Sequence, residues 1–504
     1  MAISDVGPLL SPTIQSIQNI RAQLDDLQRQ LGTGEKADTF AGLGPQAGLA
    51  VALNAQLTAL GGFDDTIGTI GTRINLAQTA LGQISSVRQS VQGETVQPSF
   101  SIDETGQTSV QKTARDQLDQ ILAALNIQAG DRYLFSGSAT DQAPVDTVDH
   151  ILDGNGAQAG LKQVIAERNQ ADLGANGLGR LVIPPAAGST VLVREDVAGS
   201  PFGLKLSGIS STLAGATTTG PTGSPPAVTV NLGAGNPSSG DTVTLTFMLP
   251  DGSSEQVTLQ ATNAATLGPN QFAIGANAGA TAVNLQAALK NAVTLLAQTA
   301  LPAASAIAAA NDFFNTDASN PPQRIAGPPF DTATALIAGT PANTVSWYTG
   351  EAGAGPARDT ATARIDPSLT VSYGLRANEE GIRWIVQHVA TLAATSYAAS
   401  DPNAAASYAA LNQRLGAALS VPNGVQKIDD IAASLASAQT AMTTAKSTHQ
   451  QTANTLTDML QQIEGVSQDQ VGAQILALQT SLQASLATTA RMAQLSLLNY
   501  LSPA

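Results

Sequence analysis

Cysteine is absent from the 504-residue chain. Disulfides, thiolate zinc sites, iron–sulfur clusters and cysteine nucleophiles are therefore excluded. Histidine is nearly as scarce: His150, His388 and His449 are far apart and sit in unlike contexts. No H-E-x-x-H, G-x-S-x-G or G-x-x-x-x-G-K-[ST] pattern occurs, and the glycines of 174–179 do not fit dinucleotide-binding spacing. Charged residues make up 12%, about half the usual share. Acidic side chains outnumber basic ones 38 to 23, for a net charge of −15. Such a surface repels phosphate backbones, so no nucleic-acid partner is expected. Long apolar runs are missing too, so no membrane insertion is expected. The first residues, MAISDVGPLLSPTIQ, have neither a basic region nor an apolar core of signal-peptide length. Aromatics are only 4% while 43% of residues are hydrophobic, so small aliphatic side chains must build the core. No catalytic, metal or cofactor-binding residue emerges, and the expectation is a non-enzyme without cofactor. A pair of carboxylates meeting in space is the remaining route to a hydrolase.

What is present is helical periodicity at both ends. Ser11-Pro12 reads as an N-cap followed by an N1 proline. Ile17, Ile20, Leu24, Leu27 and Leu31 follow at alternating spacings of 3 and 4, a heptad seam that stops at Gly32-Thr-Gly34. After a break at AGLGPQAG, Ile67, Ile70, Ile74, Ala77, Leu81 and Ile84 repeat the alternation. A third helix is expected over 106–129, with Val110, Ala114, Leu118, Ile121 and Leu125 on one face and Gly130 at its end. Near the C-terminus the seam is Ile428, Ile431, Leu435, Ala438, Met442, Ala445, His449, Thr452, Leu456, Met459 and Ile463. Gly465 breaks it, and Ser467 with Gln470 forms a capping box. The last helix carries Val471, Ile475, Leu478, Leu482, Leu486 and Ala490, and it closes with Leu497, Leu498 and Tyr500. From 471 to 504 the one charge is Arg491. An ordinary antiparallel bundle could bury any one of these stripes. Charge-poor heptad seams at both ends point instead to helices that need each other or further copies of the chain.

The middle differs. From 196 to 339 the composition shifts to Gly, Pro, Thr and Ala, with seven acidic and three basic residues. DTVTLTFMLP, the Pro250-Asp-Gly252 turn and EQVTLQAT predict a β-hairpin, with Val243, Leu245, Phe247 and Leu249 on its buried face. AVTV at 227–230 reads as a third strand and 281–301 as a helix. TVSWYTG (344–350) and SLTVSYGLRA (368–377) read as short strands, and 382–392 as a helix. His388 sits beside that helix's apolar stripe and reads as a buried, hydrogen-bonded histidine. His449, at a seam position, reads as a residue that sets register. The fold class expected is mainly α with an inserted α+β domain, the long terminal heptad helices forming a coiled-coil bundle. The division expected is 1–40 with 465–504 as terminal assembly helices, 41–195 with 340–464 as a helical core domain, and 196–339 as a β-rich outer domain.

Terminal helical arms around a β-rich centre resemble the bacterial flagellin family, which includes flagellin and the flagellar hook–filament junction protein. QSIQNIRAQLDDLQRQLGTGEKADTFAGLG is similar to the first flagellin helix and the loop after it, and RINLAQTALGQI (73–84) to the next helix. DRYLFSGSATDQAPV (131–145) resembles the junction protein's Y-L-F-x-G segment, and QTSLQASLATTARMAQLSLLNYL the closing helix of both. Leu31-Gly-Thr-Gly-Glu-Lys stands where filament flagellins carry Leu-Ser-Ser-Gly. The resemblance implies a secreted, extracellular subunit of the bacterial flagellum. It would polymerise into a helical filament through both termini and meet neighbouring axial proteins, the flagellar export apparatus and a chaperone. The assembly interface expected is Ile17, Ile20, Leu24, Leu27, Leu31, Val471, Ile475, Leu478, Leu482, Leu486, Leu497, Leu498 and Tyr500. The alternatives are the junction protein and a secreted, non-filamentous adhesin.

Overall fold

The computed structural model of the chain describes residues 7–96, 99–316 and 321–501. Helix makes up 53% of the chain, with a β-rich region in the middle. Helix α1 spans Gly7–Thr33. It begins ahead of the expected Ser11 cap, so Pro12 lies inside it and Pro8 occupies the first turn, where a missing N–H is tolerated. Its end is where the sequence places it: Gly34 takes φ 77° and its N–H returns to the Gln30 carbonyl at 2.8 Å.

After a 3-10 turn over Phe40–Gln46, α2 runs Ala47–Val96, 50 residues long. Its expected stripe is buried throughout, from Ile67 to Ile84. Helix α3, Ser109–Leu125, starts at a reciprocal capping box between Thr108 and Gln111. It stops short of the expected 129 because β1 (Gln128–Ala129) turns at Gly130 and pairs with β2 (Arg132–Tyr133). Short α4 (Val148–Asp153) and α5 (Leu161–Leu173) follow.

Ten strands are described next in chain order. They are β3 (Leu181–Val182), β4 (Thr190–Glu195), β5 (Lys205–Ser211), β6 (Thr217–Thr222), β7 (Ala227–Asn231), β8 (Thr242–Met248), β9 (Ser254–Thr262) and β10 (Gln271–Ala273), then β11 (Gln323–Ile325) and β12 (Leu336–Ala338). The first eight make two four-stranded sheets, ordered β3-β4-β7-β6 and β10-β9-β8-β5. The expected hairpin is β8–β9, antiparallel with Met248 opposite Ser254, and Val243, Leu245, Phe247 and Leu249 are buried as expected. The 227–230 strand belongs to the other sheet, paired with β4 and β6. Both sheets and α6 (Ala278–Gln298) share one aliphatic core, in which Val193 and Val230 meet Leu245, Leu259, Leu285 and Leu289.

The expected boundary at 196 therefore falls too late for the sheet, because β3 and β4 precede it. The far boundary is also displaced. Helix α7, Ala300–Phe314, packs on α5 and on α8 (Glu380–Ala394) and α9 (Ala404–Leu419). Buried Ala304, Ala308 and Ala309 leave room for that close helix approach. Residues 344–350 form isolated bridges, not the strand expected: Thr344 with Ala159, Tyr348 with Val145. Trp347 there is fully buried, and its Nε1–H finds the Phe314 carbonyl at 2.9 Å. Strands β13 (Thr362–Asp366) and β14 (Leu369–Ser372) form a two-stranded unit. The 278–314 stretch, which spans α6 and α7, reaches a mean hydropathy of 1.5 over 18 residues, with Lys290, Gln298 and Ser305 interrupting it. Its window is 67% buried inside the fold, as a core helix would be.

Helix α10 covers Ile428–Glu464 and α11 Gln468–Leu501. The α10 stripe holds through His449 and then changes residues. Met459 is 40% exposed and Thr452 is exposed, while Ala453 and Leu460 turn inward. A straight helix drifts from a strict heptad in this way. The chain divides into two compact units: Met1–Thr69 with Arg364–Thr370 and Thr440–Ala504, and Ile70–Ala363 with Val371–Gln439.

His388 of α8 is 2% exposed, its Nδ1 lies 2.6 Å from the Trp384 carbonyl, and its ring is 4.6 Å from the Trp384 ring. Burial pushes its pKa down from 6.5 to about 4. The unfolded chain thus binds a proton that the folded chain refuses between those values. Stability should be fully present above pH 6.5 and decline as pH falls toward 4, by about 3 kcal/mol from this group. Chemical denaturation of His388→Gln across that window should show a shallower acid slope than the parent; an equal slope would assign the acid sensitivity elsewhere.

Deleting 196–339 should destroy the cooperative melt of the second unit, because it removes α7 and the Phe313 and Phe314 side chains that are fully buried. Circular dichroism checks this. A deletion variant that melts like the full chain would show α7 to be dispensable to the helical core.

Candidate assembly interface

The first unit presents the terminal helices. α1 packs along α11. Their loops are tied by a small clasp: Glu35 bridges Gly465, the Lys36 N–H donates to the Glu464 carbonyl at 2.7 Å, and the Val466 N–H donates to the Gly34 carbonyl at 3.0 Å. The Lys36 ammonium then donates to the carbonyls of Gln462 and Ile463, at 3.0 and 2.8 Å. Those are among the last carbonyls of α10, which no residue of the helix itself can satisfy, and a cation is favoured at that negative end. Arg29 pairs with Asp26 and Asp38, both at 2.7 Å, and holds the Lys36 carbonyl. Ser467 caps α11, its hydroxyl 3.5 Å from the Gln470 nitrogen.

The seam residues are unevenly covered. Val471 and Ile475 are buried, Ile17, Ile20, Leu24, Leu27, Leu478 and Leu482 half-buried, and Leu31 and Leu486 exposed at 39% and 43%. Leu486 leaves the stripe, and the half-buried positions beyond Leu482 are Ser485 and Thr489. The side chains of Leu497, Leu498 and Tyr500 lie outside the described residues. Gln23, Asp26, Leu27, Gln474, Ala477 and Leu478 line an open groove of about 430 Å3 along the pair. Two helices side by side cannot cover a full apolar stripe on each, and Ile14, Leu476 and Met492 also face outward.

Farther along the same unit, Ala50, Leu53, Leu456 and Ile463 form a small core with Leu60 and Leu460 against it. His449 is 2% exposed, with Nδ1 2.8 Å from Asp64 and Nε2 3.4 Å from Asp366. The Phe63 ring lies 5.9 Å from its imidazole. It joins three segments of the chain, the structural role the sequence suggested. The Asp366 carboxyl is held below its usual range, first by the Ser368 N–H and hydroxyl and then by His449. His150 is elsewhere, between Asp146 and Gln158. Among the described residues no group of three or more His, Asp or Glu is placed to hold a metal.

The sequence reading named the seam but missed the clasp. Lys36 could have been flagged as the cation that follows a helix-stopping glycine, although its target, 427 residues away in sequence, is not local. Lys36→Met keeps the stem and removes the charge. It should destabilise the clasp by ~1–2 kcal/mol and speed hydrogen exchange at the Val466 amide. Unchanged exchange there would mean that the backbone bridge alone holds the clasp.

Residues 10–140 match the family model of the bacterial flagellin N-terminal helical region. No curated protein matches the chain. The flagellin family is structural and non-enzymatic, and its members are components of the bacterial flagellum. Over that span, from α1 to the turn after β2, the chain is similar to the N-terminal helical region of bacterial flagellin.

Proposed function

We propose that the chain is a self-assembling subunit of the bacterial flagellar filament, polymerising through α1 and α11 for motility and without catalytic activity. The carrying observation is the half-covered seam: α1 and the charge-poor α11 pair yet leave Leu31, Leu476, Leu486 and Met492 exposed. Further copies of the same helices would cover these side chains, through the open, heterologous contacts that helical filaments require. In this reading 1–40 with 465–504 are the assembly helices, and the two sheets with α6 face outward from the helical core that contains α7. Neighbouring axial proteins, the export apparatus and a chaperone are its partners, and its destination is the extracellular flagellum.

The hook–filament junction protein is the second reading, and Tyr133-Leu-Phe-Ser-Gly137 favours it. Phe135 of that segment is completely buried, and Gly137 takes φ 66° where a Cβ would strike the Glu351 carboxylate. Electron microscopy of sheared appendages separates the readings: a filament subunit is the main band, a junction protein a trace component.

Leu482→Asp tests the interface. Each apolar side chain completed by assembly contributes ~1.5–3 kcal/mol, and a charge in a dry seam opposes it. Monomer melting should stay nearly unchanged while sedimentable filaments fail to form. A monomer destabilised by several kcal/mol would place Leu482 in the chain's own core and remove the main support for assembly through α11.

A further inference from the structure

The sequence holds three Asn-Gly pairs: Asn155-Gly156, Asn176-Gly177 and Asn423-Gly424. A following glycine lets the backbone bend freely and leaves its nitrogen unshielded by any Cβ. Each pair is thus a place where the asparagine side chain can meet the next peptide nitrogen. The fold treats the three differently. The Asn155 carboxamide is held at both ends by Gln158: its Nδ2 donates to Oε1 at 2.6 Å, and its Oδ1 accepts the backbone N–H at 2.9 Å. The Asn176 carboxamide donates to the Leu181 carbonyl at 2.8 Å and accepts the Leu178 N–H at 3.0 Å. The Gly177 N–H is itself occupied by the Gly174 carbonyl at 3.1 Å. Asn423 lies in the loop between α9 and α10, and it is exposed together with Gly424. Among the described residues neither its carboxamide nor the Gly424 N–H has a hydrogen-bond partner. Gly424 takes φ 94°, and a Cβ there would meet nothing within 4 Å.

We propose that Asn423 is a site of self-catalysed deamidation in the folded protein. The Gly424 backbone nitrogen gives up its proton and attacks Asn423 Cγ. A Cγ–N bond forms, the Cγ–Nδ2 bond breaks, and the side-chain nitrogen leaves as ammonia with that proton. A succinimide ring remains, and water opens it. Water adding at Cγ restores the ordinary backbone with a side-chain carboxylate. Water adding at the backbone carbonyl places the carboxylate there and routes the chain through Cβ and Cγ, one methylene longer. In sum one water is consumed and one ammonia released. Either product adds one negative charge to the net −15. The loop is tied on both sides: Arg88 donates to the Leu419 carbonyl at 2.7 Å, the Gln426 N–H donates to the Glu380 carboxylate at 3.1 Å, and Gln426 Oε1 accepts the Gly381 N–H at 3.2 Å. The longer backbone is therefore absorbed at the exposed bend of 422–424. At Asn155 and Asn176 the same attack must first break the hydrogen bonds that hold the carboxamide, which slows it. The proposal does not depend on filament assembly.

The test is incubation of the full chain at mildly alkaline pH, folded and in urea, with tryptic peptide mapping at intervals against a zero-time sample. The three pairs fall in separate peptides, 133–162, 169–180 and 415–427, so each conversion is read from its own mass gain. In the folded chain position 423 should convert at least about tenfold faster than 155 or 176. In urea, where the holding hydrogen bonds are gone, the three rates should converge. Asn423→Ser, at an exposed and unbonded position, should keep the parent melting temperature and lose most of the acidic band that the folded parent develops on isoelectric focusing. Three results would overturn the proposal. One is conversion at 155 or 176 as fast as at 423 in the folded chain. Another is no conversion at 423 in a folded chain that converts there in urea. The third is an acidic band that grows undiminished in folded Asn423→Ser.

Discussion

An apolar stripe on a helix must be covered, and the terminal helices of this chain have too few neighbours to cover theirs. α1 and α11 carry seams built for a bundle, and they are held as a pair by a clasp whose centre is one lysine ammonium on the end of α10. The clasp fixes where the pair starts, while the seam determines what it still lacks. A single such helix is marginal in water. Half-burial of Ile17, Ile20, Leu24, Leu27, Leu478 and Leu482 is the compromise two helices can reach alone.

The second unit solves the opposite problem, since its elements have neighbours enough but few large side chains. Aromatics are scarce, so packing depends on alanine and β-branched residues brought close together. The alanine face of α7 lets α5, α8 and α9 approach, and at its end Phe313, Phe314 and Trp347 lie edge to edge at 5.1 and 5.2 Å. Charges are also few, yet α5 buries Glu167, Arg168 and Asp172. Each has its partner: Arg168 meets Asp172 at 2.7 Å, Arg324 meets Glu167 at 2.6 Å, and Asp172 also accepts the Gly203 N–H. Buried ions of this kind cost more when one partner is removed than the pair contributes. They specify which loops may lie against α5.

Periodicity made the long elements legible, because a helix of many turns repeats its signal. The stripes of α2 and α10 and the β8–β9 hairpin could be read directly from spacing and turn chemistry. The misses are places where a distant partner overrides local pattern. At 344–350 the alternation looks like a strand, but Trp347 is held by a carbonyl on α7. The end of α3 was overrun because the β1–β2 hairpin competes for 128–129. The boundary at 196 followed composition, whereas β4 joined the sheet through β7, with Thr190 opposite Asn231. The same limit applied to the terminal helices: the buried stripe at Val471 and Ile475 was readable, the clasp was not. Leu486 was included by heptad extrapolation, and the α-helical drift turned it outward.

Coverage of α11 is graded. It is greatest at Val471 and Ile475, next to the clasp, falls to half at Leu478 and Leu482, and is lower again at Leu486 and Met492. The clasp explains the direction. Where α1 and α11 are tied by backbone bonds, the entropy of pairing has already been lost, so neighbouring side chains can pack for little additional ordering. Farther along, each turn must order itself against one partner helix. If further copies supply the missing wall, the gain in buried area per turn is largest at the end farthest from the clasp. Association would then tighten α11 from its exposed end while the clasp stays as it is, and the monomer would need no rearrangement near Lys36 in order to assemble.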